Sequence, residues 1–337
     1  MKKINFENGE FSCIEVRNLS LDKNDKDNIL LKVKYSGLCG SDVQKIKLIE
    51  REKSSSVTLG HEIVAEVFET NNKTYVVGET VVVMPIIFCG KCKYCISGDI
   101  QFCFENKNLG KSVDGGFVDF MLVPHKCLYK VKSNTINLVL ADPLACIIHG
   151  LHSFKDFKPL KVCIIGDGTI AELAIRYLVK PEIEIVNLVK SNLSKSQFSI
   201  KLSFNEVREN KEFIDHFDLV IDCVGGASDE VLNLATVIAK KKGTILVFGV
   251  YEKDYLGKLN FREVFGKELC LLGSRSFAKC NSTDEFKESI RLIESEEIDL
   301  DEIITNKLPL EEFGKGIELF TNKISSKARK IVFTFEG

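Results

Sequence analysis

The 337-residue chain has almost no net charge, because 46 lysines and arginines are balanced by 48 aspartates and glutamates, for a formal charge of −2 at pH 7. A surface that follows the phosphates of nucleic acid, or that attaches to an anionic membrane, normally carries a basic excess. The near-zero charge therefore argues against nucleic acid and membrane as partners.

Long apolar runs are also lacking. The longest apolar window, VVVMPIIFC, is far shorter than the ~20 residues that span a bilayer. The two lysines of the opening MKKINFENGEFSC are not followed by an apolar stretch. We therefore expect a cytoplasmic protein. With 45% hydrophobic and 28% charged residues, the chain has a globular composition and is long enough for two domains.

Four of the twelve cysteines lie in one short stretch, IIFCGKCKYCISGDIQFC. Cys89, Cys92 and Cys95 are spaced as C-x-x-C-x-x-C, and Cys103 follows them. In the cytoplasm, close cysteines bind metal more often than they form structural disulfides. One loop can fold four thiolates around a tetrahedral zinc ion that has no position left for substrate. The spacing predicts a structural zinc site; four unrelated thiols and a nucleic-acid-binding zinc ribbon are the alternatives.

Metal-binding residue types also occur in two separate segments upstream. Cys39 follows the strand-like LLKVKYS, and His61 and Glu62 open a β-branched run in TLGHEIVAEV. A thiolate, an imidazole and a carboxylate from separate segments suit a zinc ion that keeps one position open for substrate. Taken alone, each residue is equally well a core or structural side chain. Their combination with the cysteine loop favours a catalytic metal site.

Taken together, these motifs resemble those of the zinc-dependent medium-chain alcohol and polyol dehydrogenases. The order is C-G-S-D, then G-H-E, then V-G-E-T-V-V-V and then the cysteine loop. The resemblance implies an α/β protein, in which a GroES-like β-rich catalytic domain is interrupted by a Rossmann domain with a doubly wound parallel sheet. We expect the catalytic domain over residues 1–140 and 276–337, and the NADP(H)-binding domain over residues 141–275.

A glycine turn supports the nucleotide-binding domain. In KVCIIGDGTIAELAIRYLV an apolar strand precedes Gly166, Gly168 and Ala171, which occupy the positions of G-x-G-x-x-G/A before a helix. A dinucleotide pyrophosphate can approach such a turn closely. Strand-like runs follow at EIEIVNLV, DLVIDCVGG, GTILVFGV and ELCLLGS, with SDEVLNLATVIAKK as a helix between them. Gly225 in DLVIDCVGG is a further candidate for cofactor binding.

The residues after the second strand of this domain bear on the choice of dinucleotide. NAD-selective enzymes usually have an acidic residue about 20 positions past the glycines, where it holds the ribose 2′-hydroxyl. Here NLVKSNLSK places Asn187 or Lys190 at that point, with Ser191 and Lys195 close behind. Because lysine and hydroxyl groups favour a 2′-phosphate, we expect NADP(H) to be preferred over NAD(H). The alternative is that the lysines are solvated loop charges.

The resemblance implies two zinc ions per chain, one structural and one catalytic. It assigns the catalytic ion to Cys39 and His61, with Glu62 as a third ligand. Asp142, in ADPLACIIHG, matches a glutamate that polyol dehydrogenases place near the metal, often through water. Aspartate is one methylene shorter, which argues against direct coordination by Asp142.

Other roles follow from the same resemblance. Ser41 takes the position of the hydroxyl in the family's proton relay, and Asp42 that of the carboxylate that orients the histidine ligand. Gln44 stands where many relatives have the next relay residue, a histidine. Without that imidazole the proton must leave by another route.

The implied activity is hydride transfer between a nicotinamide cofactor and a secondary alcohol or ketone, with zinc as Lewis acid. DPLAC and G-H-E are more similar to the polyol branch of the family. GDGTIAE and LLGSRSF are similar to NADPH-dependent ribulose-5-phosphate reductases. We therefore expect a polyol, sugar or sugar phosphate as substrate. Arg275 and Lys279 are candidates for binding a phosphate, or ordinary surface charges.

Two other functions fit part of the pattern. A zinc-independent quinone or enoyl reductase of the same superfamily would need neither metal set. A zinc-stapled, NADP-binding redox sensor or scaffold would bind the cofactor without turnover. The family resemblance further implies a homodimer or homotetramer.

Overall fold

The computed structural model describes residues 1–7, 10–17, 19–52, 57–152, 160–190, 197–279, 283–322 and 326–335. The chain divides into two units, which we call unit 1 (Met1–Ala145 with Phe277–Gly337) and unit 2 (Cys146–Ser276). The chain passes from unit 1 to unit 2 after Ala145 and returns to unit 1 at Phe277. From the sequence, we expect these two boundaries after residue 140 and at residue 276. No helix in the described ranges is long and apolar enough to cross a membrane.

The strands are β1 (Lys2–Glu7), β2 (Glu10–Glu15), β3 (Asn28–Leu38), β4 (Glu62–Thr70), β5 (Thr80–Val83), β6 (Ile86–Ile87), β7 (Lys107–Asn108), β8 (Phe120–Pro124), β9 (Leu128–Lys130), β10 (Lys161–Ile165), β11 (Glu184–Val189), β12 (Ile200–Ser203), β13 (Phe217–Asp222), β14 (Ala239–Val247), β15 (Cys270–Gly273), β16 (Ile304–Pro309) and β17 (Lys330–Thr334). The α-helices are α1 (Gly40–Glu52), α2 (Lys93–Ser97), α3 (Ala141–His152), α4 (Thr169–Leu178), α5 (Phe204–Glu209), α6 (Glu230–Ile238), α7 (Phe261–Lys267), α8 (Glu285–Glu294) and α9 (Phe313–Thr321).

Unit 1 is built on a largely antiparallel sheet in the order β16-β17-β3-β4-β5-β9, with β8 also paired to β3. The closing segment of the chain returns to this unit, because β17 pairs antiparallel with β3. Three aromatic rings pack beside the sheet: Phe117 lies 4.9 Å from Phe313 and 5.3 Å from Phe333, centroid to centroid. They anchor the returning α9 and β17 in the core.

Unit 2 is a six-stranded parallel sheet in the order β12-β11-β10-β13-β14-β15. The predicted fold class, a GroES-like unit with a doubly wound Rossmann unit, is confirmed. Four of the predicted strand runs form β11, β13, β14 and β15. The sequence analysis did not predict β12, which is short and carries no fully buried side chain that would mark it as a core strand.

The predicted helix SDEVLNLATVIAKK ends earlier than its sequence suggests. Helix α6 stops at Ile238, and the next residues already belong to β14. The buried Lys267 explains the stop, because its Nζ donates 2.8 Å hydrogen bonds to the carbonyls of Thr236 and Val237. A cation here satisfies carbonyls that the last turn leaves without partners and suits the negative end of the helix.

The side chain of Asn187 ties the glycine turn to the sheet. It lies in β11, is 2% exposed, and its Nδ2 donates to the carbonyls of Ile164 at 2.9 Å and Gly166 at 2.8 Å. Both amide hydrogens are therefore used inside unit 2. This placement favours a role in holding the turn, and it leaves Lys190 as the residue at the end of β11.

Replacing Asn187 by alanine should destabilise unit 2. The change removes both hydrogen bonds and leaves a buried carbonyl of the turn without a partner, which should lower the free energy of unfolding by about 1–3 kcal/mol. Urea unfolding would measure the difference, with the exposed Asn24→Ala as control. A loss below about 0.5 kcal/mol would mean that the amide does not stabilise the turn.

Candidate functional site

The antiparallel pairing of β3 with β4 brings the first metal-binding residues together. Gly37, near the end of β3, pairs with Glu62, the first residue of β4. Cys39 directly follows β3, and His61 directly precedes β4. The donor atoms of Cys39, His61 and Glu62 all lie within 4.8 Å of one another. We call these three residues the dispersed donor set.

Asp42 fixes the orientation of the imidazole. It lies in the first turn of α1 and is 1% exposed. Its Oδ2 accepts the backbone N–H of Cys39 at 3.0 Å, and its Oδ1 lies 3.2 Å from Nδ1 of His61. Because Nδ1 is engaged, Nε2 is the nitrogen left for a ligand.

The charges of the donor set hold a proton where a metal ion could bind. Burial disfavours the imidazolium, but the Asp42 carboxylate and the Cys39 thiolate outweigh burial and raise the pKa of His61 well above its ordinary value. Burial acts to raise the pKa of Asp42, yet His61 lowers it overall. Ser41 stands beside these groups, with Oγ 3.4 Å from Cys39 Sγ and 3.5 Å from His61 Nε2.

Glu62 forms a buried ion pair that the sequence analysis did not predict. Its Oε2 pairs with Nζ of Lys330, the first residue of β17, and both side chains are almost fully buried. The same ammonium donates to the carbonyl of Leu38 at 3.3 Å. A Cβ at Gly37 would lie 2.1 Å from Oε2 of Glu62, so only glycine leaves room for this carboxylate. The available signal was a lysine directly before the apolar run IVF.

Asp142 lies in the first turn of α3, outside the dispersed donor set but within its electrostatic range. Burial raises the pKa of Asp142 to about 6, and the Glu62 carboxylate acts in the same direction. The positive charges of His61, Lys111 and Lys330 oppose this rise. Lys111 had no assigned role in the sequence analysis.

The dispersed donor set fits a divalent metal ion. It offers a thiolate, an imidazole nitrogen and a carboxylate, and Oε1 of the buried Glu62 has no hydrogen-bond partner within the described ranges. A buried carboxylate oxygen without a partner is unfavourable unless a cation or water satisfies it. The combination of sulfur and imidazole donors suits zinc.

The four cysteines of the loop also converge on one point. The sulfurs of Cys89, Cys92, Cys95 and Cys103 lie within 4.8 Å of one another. Sγ of Cys95 is 3.8 Å from that of Cys89 and 3.6 Å from that of Cys92. Zinc–sulfur bonds of about 2.3 Å in a tetrahedron put the sulfurs about 3.8 Å apart, so the cluster has the size of a zinc site. Its cysteines are free thiols.

The proposed cofactor residues of unit 2 occupy two turns at the carboxyl ends of its strands. Gly166 (φ +129°) follows β10, Gly168 is the residue before α4, and Ala171 is 1% exposed inside that helix. Gly225 (φ +66°) lies after β13, where a Cβ would be 2.4 Å from the carbonyl oxygen of Val250. Both turns therefore place their backbone where a side chain would be excluded or strained.

Lys190 follows β11 directly and takes part in a charged group with two residues that the sequence analysis missed. Its Nζ is 2.7 Å from Oε2 of Glu230, whose Oε1 is 3.0 Å from Nη2 of Arg208. Arg208 lies on α5 and Glu230 begins α6. Ser191 and Lys195 lie outside the described residues.

The remaining candidates are Arg275, Gln44 and Lys279. Arg275 is exposed, and so is Gln44 on α1. Lys279 is engaged inside unit 1, where its Nζ donates to the hydroxyl of Tyr129 and lies 3.3 Å from Asp284. These partners make Lys279 less available to a phosphate than the sequence suggested.

Comparison with known proteins bears on both units. Residues 25–133 match the family model of the alcohol dehydrogenase GroES-like domain. The sorbitol dehydrogenase of Halalkalibacterium halodurans is 25% identical over 328 residues, which cover 92% of each chain. The D-arabitol-phosphate dehydrogenase of Enterococcus avium is 25% identical over 323 residues, covering 89% of this chain and 88% of the relative. The crystal structure of galactitol-1-phosphate dehydrogenase from Escherichia coli shares the fold, with a TM-score of 0.85 at 21% identity over 99% of this chain and 100% of that chain.

The buried ion pair between Glu62 and Lys330 should contribute to the stability of the protein. Lys330→Met should lower the free energy of unfolding of metal-free protein by about 3–5 kcal/mol, because it leaves a buried carboxylate without its cation. Urea unfolding in the presence of a chelator would measure this loss.

The double variant Glu62→Gln with Lys330→Met removes both charges and is the matched control. It should recover most of the stability that the single variant loses. Lys242→Met breaks an exposed pair with Glu268 and should change stability little. Equal losses in the single and double variants would show that packing of the lysine, and not its charge, stabilises this region.

Proposed function

We propose that the chain is a zinc-dependent medium-chain alcohol or polyol dehydrogenase, which transfers hydride between NADP(H) and a secondary alcohol or ketone of a polyol, sugar or sugar phosphate. It is an oxidoreductase that acts on CH–OH groups. We further propose that it requires zinc, that it prefers NADP(H) and that its substrate belongs to these classes.

The observation that carries the proposal is the dispersed donor set, with its donor atoms within 4.8 Å of one another. Cys39, His61 and Glu62 would hold the catalytic zinc. Three protein ligands leave a fourth position for substrate, which is the arrangement of catalytic rather than structural zinc sites. A zinc ion bound there would act as a Lewis acid on the substrate oxygen, favouring alkoxide in oxidation and polarising the carbonyl in reduction.

The protein residues around this set have separate tasks. Asp42 orients His61 through Nδ1, so that Nε2 faces the metal position. The hydroxyl of Ser41, 3.5 Å from that Nε2, would accept the proton of the alcohol while it passes its own proton on to water. Lys330 balances the charge of Glu62 and limits how far its carboxylate moves.

The cysteine loop would hold a second, structural zinc ion. Four thiolates fill a tetrahedral coordination sphere, so this ion would stabilise the loop and take no part in the reaction. Backbone N–H groups prepare the loop for a cation: those of Cys95 and Phe104 lower the pKa of the Cys92 thiol to about 6, although burial raises that of Cys95 to about 12.

Metal analysis and an absorbance assay test the proposal together. The wild-type protein should contain about two zinc ions per chain, and Cys39→Ser and Cys95→Ser should each contain about one. Cys39→Ser should lose activity over a panel of alcohols, polyols and ketose phosphates by about 1,000-fold or more, because the metal position loses its thiolate. Mass spectrometry of the metal content and the absorbance of the reduced nicotinamide provide the measurements.

Cys13→Ser is the matched control, since this cysteine lies in β2 outside both donor sets. It should keep both zinc ions and full activity. Activity that survives Cys39→Ser would instead support a zinc-independent quinone or enoyl reductase. Cofactor binding without turnover of any substrate would support a redox sensor or scaffold.

The preference for NADP(H) rests on the charges at the end of β11. Lys190 stands where NAD-selective enzymes carry an acid. Arg208 and Lys190 pair with the same carboxylate, that of Glu230, so the two cations lie on either side of one side chain. A 2′-phosphate could replace Glu230 as their partner and would form charge-assisted hydrogen bonds with both.

Variants of these cations should separate the two cofactors. Lys190→Ala and Arg208→Ala should each raise KM for NADPH about tenfold and leave KM for NADH nearly unchanged, because only NADPH has the 2′-phosphate. Steady-state kinetics with both cofactors would measure this. Lys242→Ala, which removes an exposed lysine elsewhere in unit 2, is the control. A wild-type preference for NADH of about tenfold or more would contradict the assignment.

A homodimer or homotetramer stays a prediction from the family resemblance, and a cytoplasmic location stays a prediction from the short apolar windows of the sequence. The near-zero net charge supports a small-molecule substrate and argues against nucleic acid or membrane as a partner.

A further inference from the structure

Lys111 lies at the tip of a tight loop in unit 1. We call residues 108–117 the Lys111 loop. The carbonyl of Asn108 accepts the backbone N–H groups of Lys111 at 3.1 Å and Ser112 at 2.9 Å, and the N–H of Gly110 donates to Val113 at 2.9 Å. Three hydrogen bonds within six residues give the loop a defined backbone, which presents the exposed Lys111 side chain to solvent.

The Lys111 loop is fixed to the backbone that leads into His61. The N–H groups of Gly115, Gly116 and Phe117 donate to the carbonyls of residues 58, 60 and 59 at 2.7, 2.9 and 3.0 Å. In addition, a Cβ at Gly110 would lie 2.8 Å from the carbonyl oxygen of Gly60, and one at Gly115 only 2.0 Å from it. The loop therefore sits directly against the residue that precedes a member of the dispersed donor set.

The charge of Lys111 reaches the candidate metal site. It helps to lower the pKa of Asp42, and it opposes the rise that burial causes in the pKa of Asp142. The first of these carboxylates holds His61, and the second lies within electrostatic range of Glu62. Since the interaction of an exposed charge is screened beyond about 8–10 Å, these effects agree with the packing of Gly110 against Gly60 in placing Lys111 close to the dispersed donor set.

The Lys111 ammonium is unpaired in the part of the chain that the structure describes. Within the described ranges no carboxylate lies at ion-pair distance from its Nζ, and no hydrogen bond engages it. Lys330, the other lysine that acts on Asp142, is buried and paired with Glu62. Among the residues that the structure describes, Lys111 is therefore a cation near the dispersed donor set that is available to a ligand from solvent.

We propose that Lys111 binds an anionic terminal group of the substrate, so that the substrate is a polyol or ketose that ends in a phosphate or a carboxylate. The inference rests on the proposed function and narrows its substrate class. The carboxylates of Asp42 and Glu62 are already paired with His61 and Lys330, so the charge of Lys111 is left to attract an anionic group from solvent. An ammonium on a flexible stem suits such a group as a point charge.

Matched substrate pairs test this assignment. Galactitol 1-phosphate differs from galactitol only in its phosphate. L-Idonate differs from L-iditol only in having a carboxylate in place of a terminal hydroxymethyl group. Lys111→Gln should lower kcat/KM for the anionic member by about 10- to 100-fold, mainly through KM, and leave the neutral member within about twofold. Lys111→Arg keeps the charge and should retain most of the activity. Lys107→Gln, an exposed lysine of β7, should change neither member.

The two arms identify the group that is bound: a loss confined to the first pair assigns phosphate, and one confined to the second pair assigns carboxylate. Equal losses for anionic and neutral members would overturn the proposal, since Lys111 would then act only on the carboxylates of the site. Wild-type turnover of neutral polyols alone would also overturn it and leave the proposed function intact.

Binding supplies a readout that does not depend on turnover. Calorimetric titration with galactitol 1-phosphate and with L-idonate should give a Kd that is about 10- to 100-fold higher for Lys111→Gln than for the wild type, for the anion that Lys111 binds. If the wild type turns over no alcohol, the proposed function fails. These titrations would still show whether Lys111 binds an anion. Unchanged Kd values for both anions would overturn its role.

Discussion

The antiparallel register between β3 and β4 is the constraint on which the candidate active site depends. With Gly37 opposite Glu62, the residue that follows one strand meets the residue that precedes the other. A shift by one residue would turn Glu62 to the other face of the sheet and away from Cys39 and His61. Burial supports this register, because a shift would displace the aliphatic side chains that β3 and β4 contribute to the core.

Features that depend on a few neighbouring residues could be predicted from the sequence. The cysteine loop needs only its own spacing, and its sulfurs do converge. The same holds for the turn at Gly166, where strand, glycines and helix follow each other directly. The strands β11, β13, β14 and β15 were also predictable, since buried parallel strands are continuous apolar runs. Cys39 and His61 are distant in sequence, and their proximity was predicted from the family resemblance rather than from the residues alone.

Features that depend on the partner of a charged or polar group could not be predicted. In the sequence Lys330 is an ordinary lysine at the start of a strand. Its structural role depends on the ion pair with Glu62, which lies on a strand much earlier in the chain. Asn187 could equally have faced a cofactor, but its amide hydrogens bond the backbone of β10 and the turn. The end of α6 likewise depends on Lys267, which lies on a different helix.

The ion pair between Glu62 and Lys330 also has a consequence for the order in which the protein is made. Residue 62 leaves the ribosome early, whereas residue 330 follows only after all of unit 2 has been synthesised. Until then the Glu62 carboxylate of the nascent unit 1 lacks the lysine with which it is paired in the folded protein. Unit 1 is therefore completed after translation has passed unit 2, although its own chain begins first.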